Sequence, residues 1–145
     1  QRLFGVRYLL GPKALVVGAK GGETNALVVP VGRKVKSLVF LHALQVEEPV
    51  VGARLFGSYG IQRVSGSTNV AVNHRNATHW LSKAPRKNPW MPWNYAHTWD
   101  ALLAWEGCTR QGEPVNLQAF EWINPLPDEP VTAVEFSVAV SVPVV

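Results

Sequence analysis

The residues of this chain best suited to chemistry are aromatic rings, and they are crowded into one stretch. Trp80, Trp90, Trp93 and Trp99 are four of the six tryptophans, with Tyr95, His79 and His97 among them. Pro85, Pro89 and Pro92 fall in the same stretch. Each fixes φ and removes a backbone donor, so neither helix nor strand runs through it. The composition predicts a stiff surface loop that presents flat rings, an arrangement suited to stacking on a flat, half-apolar ligand. Pyranose rings and nucleobases are the two common ligands of that kind.

Charge around these rings is one-sided. No Asp or Glu occurs between Glu48 and Asp100, whereas Arg54, Arg63, Arg75, Lys83, Arg86 and Lys87 all do. Either acids from elsewhere in the fold neutralise this stretch, or it makes a surface biased toward anionic ligands. Over the whole chain the net charge is only +4, with 17% charged and 47% hydrophobic residues, a globular composition.

Signatures of catalysis are absent from the sequence. There is no Gly-x-Ser-x-Gly elbow, Gly-rich phosphate loop or His-x-x-x-His metal spacing. Glycoside hydrolysis needs two carboxyls across one bond. The acids lie toward the two ends of the chain, and Glu106 with Glu121 is the pair that could meet. No catalytic residue is assigned. His74, His79 and His97 could form a metal trio, but their spacing is irregular and they serve equally as donors to hydroxyls. No cofactor is expected. Structural calcium, held by loop carbonyls and a few acids, stays open. Asn76-Ala-Thr78 is a glycosylation sequon. The single Cys108 excludes an internal disulfide and a cysteine zinc cluster.

The elements that must position the rings read as β-structure. Short β-branched runs separated by Gly, Pro, Asn and Ser predict strands over 3–10, 14–17, 26–29, 37–44, 50–59, 68–73, 115–122 and 132–140. In the last, Val134, Phe136, Val138 and Val140 point one way, with Ala133, Glu135, Ser137 and Ala139 opposite. Pro30 and Gly32 are expected to end one strand, and Gly66-Ser67 to mark a turn. A helical turn is expected only over 100–105, with Asp100 as its cap. Trp105 and Trp122 are assigned to the core, and His42 to a satisfied core or edge position. The fold class is all-β, an antiparallel β-sandwich or jelly roll. Residues 1–145 form a single domain, long enough for a full core. The start, Gln1-Arg-Leu-Phe-Gly5, has neither initiator Met nor signal-peptide pattern, and reads as a domain processed or cut from a larger protein. No run approaches the roughly 18 apolar residues of a membrane helix, so no membrane partner is expected.

Four strings carry a family resemblance: Val29-Pro-Val-Gly-Arg-Lys34, Ser37-Leu-Val-Phe-Leu-His42, Ala104-Trp-Glu-Gly107 and Phe120-Glu-Trp-Ile-Asn-Pro-Leu-Pro127. Together they resemble the galactose-binding-like jelly-roll domains found as accessory modules in large microbial glycoside hydrolases. The resemblance spans most of the chain from Pro30 onward. It departs at Ser58 to Arg63 and at Asn73 to Trp80, where the family often has a Tyr-x-Asp-Gly hairpin and a Gly-x-Asn-Ile-x-x-Trp strand end. It implies the fold, a polysaccharide or oligosaccharide partner, and an extracellular or periplasmic location.

Three readings follow. In the first, a carbohydrate-binding module, Trp80, Trp90, Trp93, Tyr95 or Trp99 stack on sugar faces. Arg75, His79 and Asn94 then hydrogen-bond hydroxyls, and the basic stretch favours acidic polysaccharides. In the second, a structural sandwich packs against a neighbouring catalytic domain of the same chain, since interfaces also favour Trp and Arg. The third, single-strand nucleic-acid binding, has local support in Lys83, Arg86 and Lys87 beside Trp90 and Trp93. It lacks the wide basic excess of that class.

Overall fold

The computed structural model describes residues 2–3, 6–7, 26–44, 55–73, 75–77 and 100–139. Every regular element among them is a strand. None of the described residues forms a helix long and apolar enough to cross a membrane. In chain order the strands are β1 (Arg2–Leu3), β2 (Val6–Arg7), β3 (Ala26–Arg33), β4 (Ser37–His42), β5 (Leu55–Arg63), β6 (Gly66–Asn73), β7 (Ala101–Cys108), β8 (Pro114–Ile123) and β9 (Val131–Val138). β1 and β2 form a small hairpin of their own. The others make two antiparallel sheets, ordered β3-β9-β5-β6 and β4-β8-β7, which pack together as a β-sandwich.

Alternation builds the interior from both sheets. In the four-stranded sheet Tyr59 and Ile61 of β5 lie opposite Phe136 and Val134 of β9, all on the inner face. The outer face of the same sheet is small and polar: Ser58 meets Ser137, and Gln62 donates to Glu135. The expected alternation of β9 is therefore observed through Val138. In the three-stranded sheet Leu38 and Phe40 of β4 pair with Trp122 and Phe120 of β8 and face inward. The Tyr59 ring crosses the interface and stacks on Phe40 at 3.8 Å between centroids, 10° from parallel. Such stacking adds to the burial of two large apolar surfaces.

Several strand limits differ from the sequence reading: β4 ends at His42 rather than at 44, and β5 runs on to Arg63 rather than ending at 59. β3 runs through Pro30 to Arg33, because it is an edge strand where a missing N–H is tolerated. A register shift between Pro30 and Arg33, with Gly32 at φ 63°, absorbs the irregularity. Residues 101–108 form β7 rather than a helical turn. Its ladder to β8 supplies tertiary partners for the backbone, which overrides a local preference.

β7 also corrects the placement of Trp105. Leu103 pairs with Gln118 on the inner face, Ala104 is an extra residue, and Trp105 then pairs with Leu117 on the outer face. The bulge flips the alternation, so Trp105 leaves the core and its ring lies over Gly107. Trp122 is packed against the core as expected.

The far end of the sandwich is closed by tight connections. β5 and β6 are joined by the two residues Val64 and Ser65, and Gly66 follows at φ 142°. Asn124 is the hub there. Its amide Nδ2 donates to the carbonyls of Val35 and Leu126, while Oδ1 accepts from the Leu126 amide and the Arg63 guanidinium. Arg63 also donates to Thr68 and lies over the Trp122 ring at 5.4 Å. Glu129 clamps the hairpin by accepting from both the hydroxyl and the amide of Ser65.

Candidate functional site

The opposite end of the sandwich carries the long connections. Leu44, Leu55, Asn73 and Val138 all stand there, because β4 and β6 finish and β5 begins at that end while β9 runs out toward it. The tryptophan-rich stretch joins the end of β6 to the start of β7. Of the residues expected to bind ligand, Arg75 lies among those described. Trp80, Trp90, Trp93, Tyr95, Trp99, His79 and Asn94 lie outside them, as do His74 and His97.

What the structure gives is the root of that stretch, and the two halves of the root are clasped together. Asp100 donates its amide to the Arg75 carbonyl at 2.8 Å. The Arg75 guanidinium grips the Asp100 carboxylate with Nε at 2.9 Å and a terminal nitrogen at 3.2 Å. This two-point geometry holds both members in one plane. The segment between them therefore leaves and re-enters the sandwich at one place.

A self-bonded turn shapes the outgoing half. Asn76 and Ala77 both donate their amides to the Asn73 carbonyl, and the Asn73 side chain accepts from the Arg75 amide. The Asn76 side chain accepts from the Asn73 amide and donates to the Ala71 carbonyl. Asn76 is only 4% exposed, so its amide is spent inside the turn and the sequon presents no acceptor at the folded surface.

Beneath the root lies His42, the last residue of β4. Its Nε2 is 2.6 Å from the Asn76 carbonyl and its Nδ1 is 2.5 Å from the Tyr59 hydroxyl. A carbonyl only accepts, so Nε2 carries the proton and Nδ1 accepts from Tyr59. Both ring nitrogens are satisfied, as expected for a core histidine. Burial holds the His42 pKa below its ordinary value, opposed by the smaller effect of the Asn76 bond. Burial also pushes Tyr59 well above the usual phenol range.

Of the acid-free basic stretch, Arg63 and Arg75 are the two cations among the described residues, and they go to different partners. Arg63 is buried at the far end on Asn124, Thr68 and Trp122, and Arg75 is neutralised by Asp100. Glu106 and Glu121 do not make a pair: Glu106 is opposite inward-facing Asn116, whereas Glu121 is opposite outward-facing Val39. Among the described residues no three His, Cys, Asp or Glu side chains gather to hold a metal.

Sequence reasoning missed Asp100, His42, Tyr59 and Asn76 as anchors of the candidate site. Asp100 had one signal, as the first acid after the basic stretch; His42 and Tyr59 had none, because their partners lie far away in sequence, and Asn76 bonds within its own turn but meets His42 only through the fold. No family model, curated protein or solved structure matches the chain.

Proposed function

We propose that this domain is a non-catalytic carbohydrate-binding module. In this reading the tryptophan-rich segment at the open end of the sandwich carries the stacking platform. The observation that carries it is the clasp between Arg75 and Asp100, which roots a proline-stiffened, ring-rich segment at one point on a rigid sandwich. Binding loops at one end of such a scaffold are a recurrent solution, because the sheets hold position while the loops vary. Trp90 or Trp93 offers a negative ring face to the slightly positive C–H face of a pyranose. His79 and Asn94 supply edge contacts to hydroxyls, while Arg75 does so only with the capacity that Asp100 leaves it. Any preference for uronate- or sulfate-bearing polymers rests on Arg54, Lys83, Arg86 and Lys87, since Arg63 and Arg75 are committed elsewhere. The domain acts outside the cell or in the periplasm.

Affinity electrophoresis against neutral and acidic polysaccharides tests this reading. Retardation is expected with an affinity on the order of micromolar to millimolar, as for a shallow wet site. Trp90→Ala or Trp93→Ala should abolish it with little change in Tm, and added salt should weaken it where basic residues contribute. No retardation by any glycan would overturn it.

A second reading has its own observation, the apolar outer face of the three-stranded sheet. Val39, Leu41, Leu102, Trp105, Leu117 and Ile123 share that face, and Leu102 and Ile123 are 61% and 74% exposed. An exposed apolar sheet face is suited to packing against a neighbouring catalytic domain of the same chain. Leu102→Lys with Ile123→Lys should weaken such packing and leave glycan retardation intact.

A further inference from the structure

We propose that β6 is a self-pairing edge: two copies of this chain join β6 to β6, antiparallel about a two-fold axis at Asn69. The joint uses no residue of the tryptophan-rich segment and is independent of the carbohydrate-binding reading.

The two sheets have four edge strands, β3, β6, β4 and β7, and these differ in how they are guarded. An edge exposes unpaired N–H and C=O groups, and proteins blunt it with proline, charge, a bulge or cover. β3 carries Pro30, Arg33 and a register shift between them. β7 carries Glu106 and the shift between Leu103 and Trp105. β4 is short and half-buried along its whole length. β6 has none of these devices. Gly66-Ser-Thr-Asn-Val-Ala-Val-Asn73 holds neither proline nor charge, and its ladder to β5 runs without a shift from Val72 to Gly66. Ser67, Asn69 and Ala71 are all exposed.

The hairpin decides which backbone groups of β6 face outward. Arg63 and Gly66 close a two-residue turn, so that pair exchanges both its bonds. Thr68 with Ile61 and Val70 with Tyr59 repeat the pattern at alternate positions. Ser67, Asn69 and Ala71, between them, direct N–H and C=O away from β5. The Asn76 side chain has the same phase, since it donates to the Ala71 carbonyl and accepts from the Asn73 amide. It also closes the open run at Ala71. The amides and carbonyls of Ser67 and Asn69 and the amide of Ala71 are left, without a partner among the described residues.

These groups are symmetric about Asn69, and that symmetry is what a second copy uses. A two-fold axis there sets Asn69 opposite Asn69 of the second copy, each donating to the other's carbonyl. Ser67 then stands opposite Ala71 of the second copy, and its carbonyl accepts that amide. On the inner side Thr68 meets Val70 of the second copy, a β-branched pair of the kind that stabilises sheets. Identical strands laid antiparallel about an axis oppose like charges, and β6 has no charge to oppose. The Asn69 side chain lies on the outer face, its Oδ1 3.5 Å from where a Cβ on Gly60 would stand. Both carboxamides therefore meet at the axis, where each can donate to the other. One strand edge is a small contact, so the joint is weak, with a Kd on the order of 100 µM.

Sedimentation equilibrium of the full chain from about 10 µM to about 1 mM tests the joint. The apparent mass should climb from one chain toward two, and amide exchange at Asn69 and Ala71 should slow over the same range. Asn69→Pro removes the central donor at an edge position where proline is tolerated. It should hold the chain at one copy with an unchanged far-UV circular dichroism spectrum. Asn69→Lys and Asn69→Glu should each stay at one copy, because the axis sets like charges directly opposite. Mixed in equal amounts, those two variants should pair again. A natural chain that stays single at about 1 mM overturns the joint. So does a mixture of the Lys and Glu variants that stays single, which removes the axis from Asn69. Pairing that survives Asn69→Pro also overturns it, by assigning association to another surface. If Asn69→Pro does not fold, the exposed Lys and Glu substitutions and their mixture decide. No glycan enters these measurements, so failure of the joint and failure of the binding reading are separate outcomes.

Discussion

Both ends of the sandwich bury polar side chains, but they use them for opposite purposes. At the far end the Asn124 side chain makes four hydrogen bonds to three residues and Arg63 joins two strands to Trp122, all next to short turns. Each added bond there closes the sandwich more tightly. At the open end His42, Asn76, Arg75 and Asp100 secure the root of one long segment. One end closes the sandwich and the other fixes the two flanks of the tryptophan-rich segment, a division that a rigid two-sheet scaffold allows because its sheets hold their own register.

The largest effect is expected at Tyr59, which stands between the two ends. Tyr59→Ala removes the stack on Phe40, the contact with Phe136 and the donor to His42. It should destabilise by about 4 kcal/mol in chemical denaturation. A loss near 1 kcal/mol would mean that the sheets are not joined through this ring.

Next comes the far-end hub. Asn124→Ala orphans the Val35 carbonyl and part of the Arg63 guanidinium, and should cost about 3 kcal/mol. Glycan retardation of the folded fraction should be unchanged. A variant that folds well yet fails to bind would break the division of labour between the ends.

Within the three-stranded sheet the two tryptophans should part company. Trp122→Ala should cost about 3 kcal/mol because that ring packs against the core and Arg63. Trp105→Ala should cost about 1 kcal/mol, since its ring lies on the outer face. Equal losses by urea titration would contradict the bulge at Ala104.

The open end should show the reverse pattern. Arg75→Ala breaks an exposed ion pair and should lower stability by less than about 1 kcal/mol. On the carbohydrate-binding reading, it should nonetheless weaken glycan retardation by loosening the platform's root. Asp100→Asn should behave similarly, and unchanged retardation in both would separate the clasp from binding.

The smallest difference lies in pH. The Ser65 hydroxyl, followed by its amide, holds Glu129 below the usual carboxylate value. That clamp is present above the ordinary carboxylate pKa and is lost as pH falls through the depressed one. Burial favours the neutral, fully bonded His42 ring, a state lost at pH below the ordinary imidazole value. Hydrogen exchange should thus rise first near Asn76 and only at lower pH near Ser65; a simultaneous rise would refute separate control of the two ends.

The sequence by itself determined what local chemistry dictates. β-branched runs and turn residues foretold an antiparallel sandwich, the alternation of β9 and the hairpin at Gly66. Prolines and tryptophans marked one stretch as distinct, though the rings themselves lie outside the described residues. Tertiary structure decided the rest. Residues 101–108 became a strand because β8 offers them a ladder, and one extra residue, Ala104, turned Trp105 outward. Arg63 and Arg75, neighbours in the same basic stretch, went to opposite ends and different partners. Each outcome depends on register between distant strands, and a shift of one residue exchanges the two faces of a sheet. Local composition carries no trace of that choice.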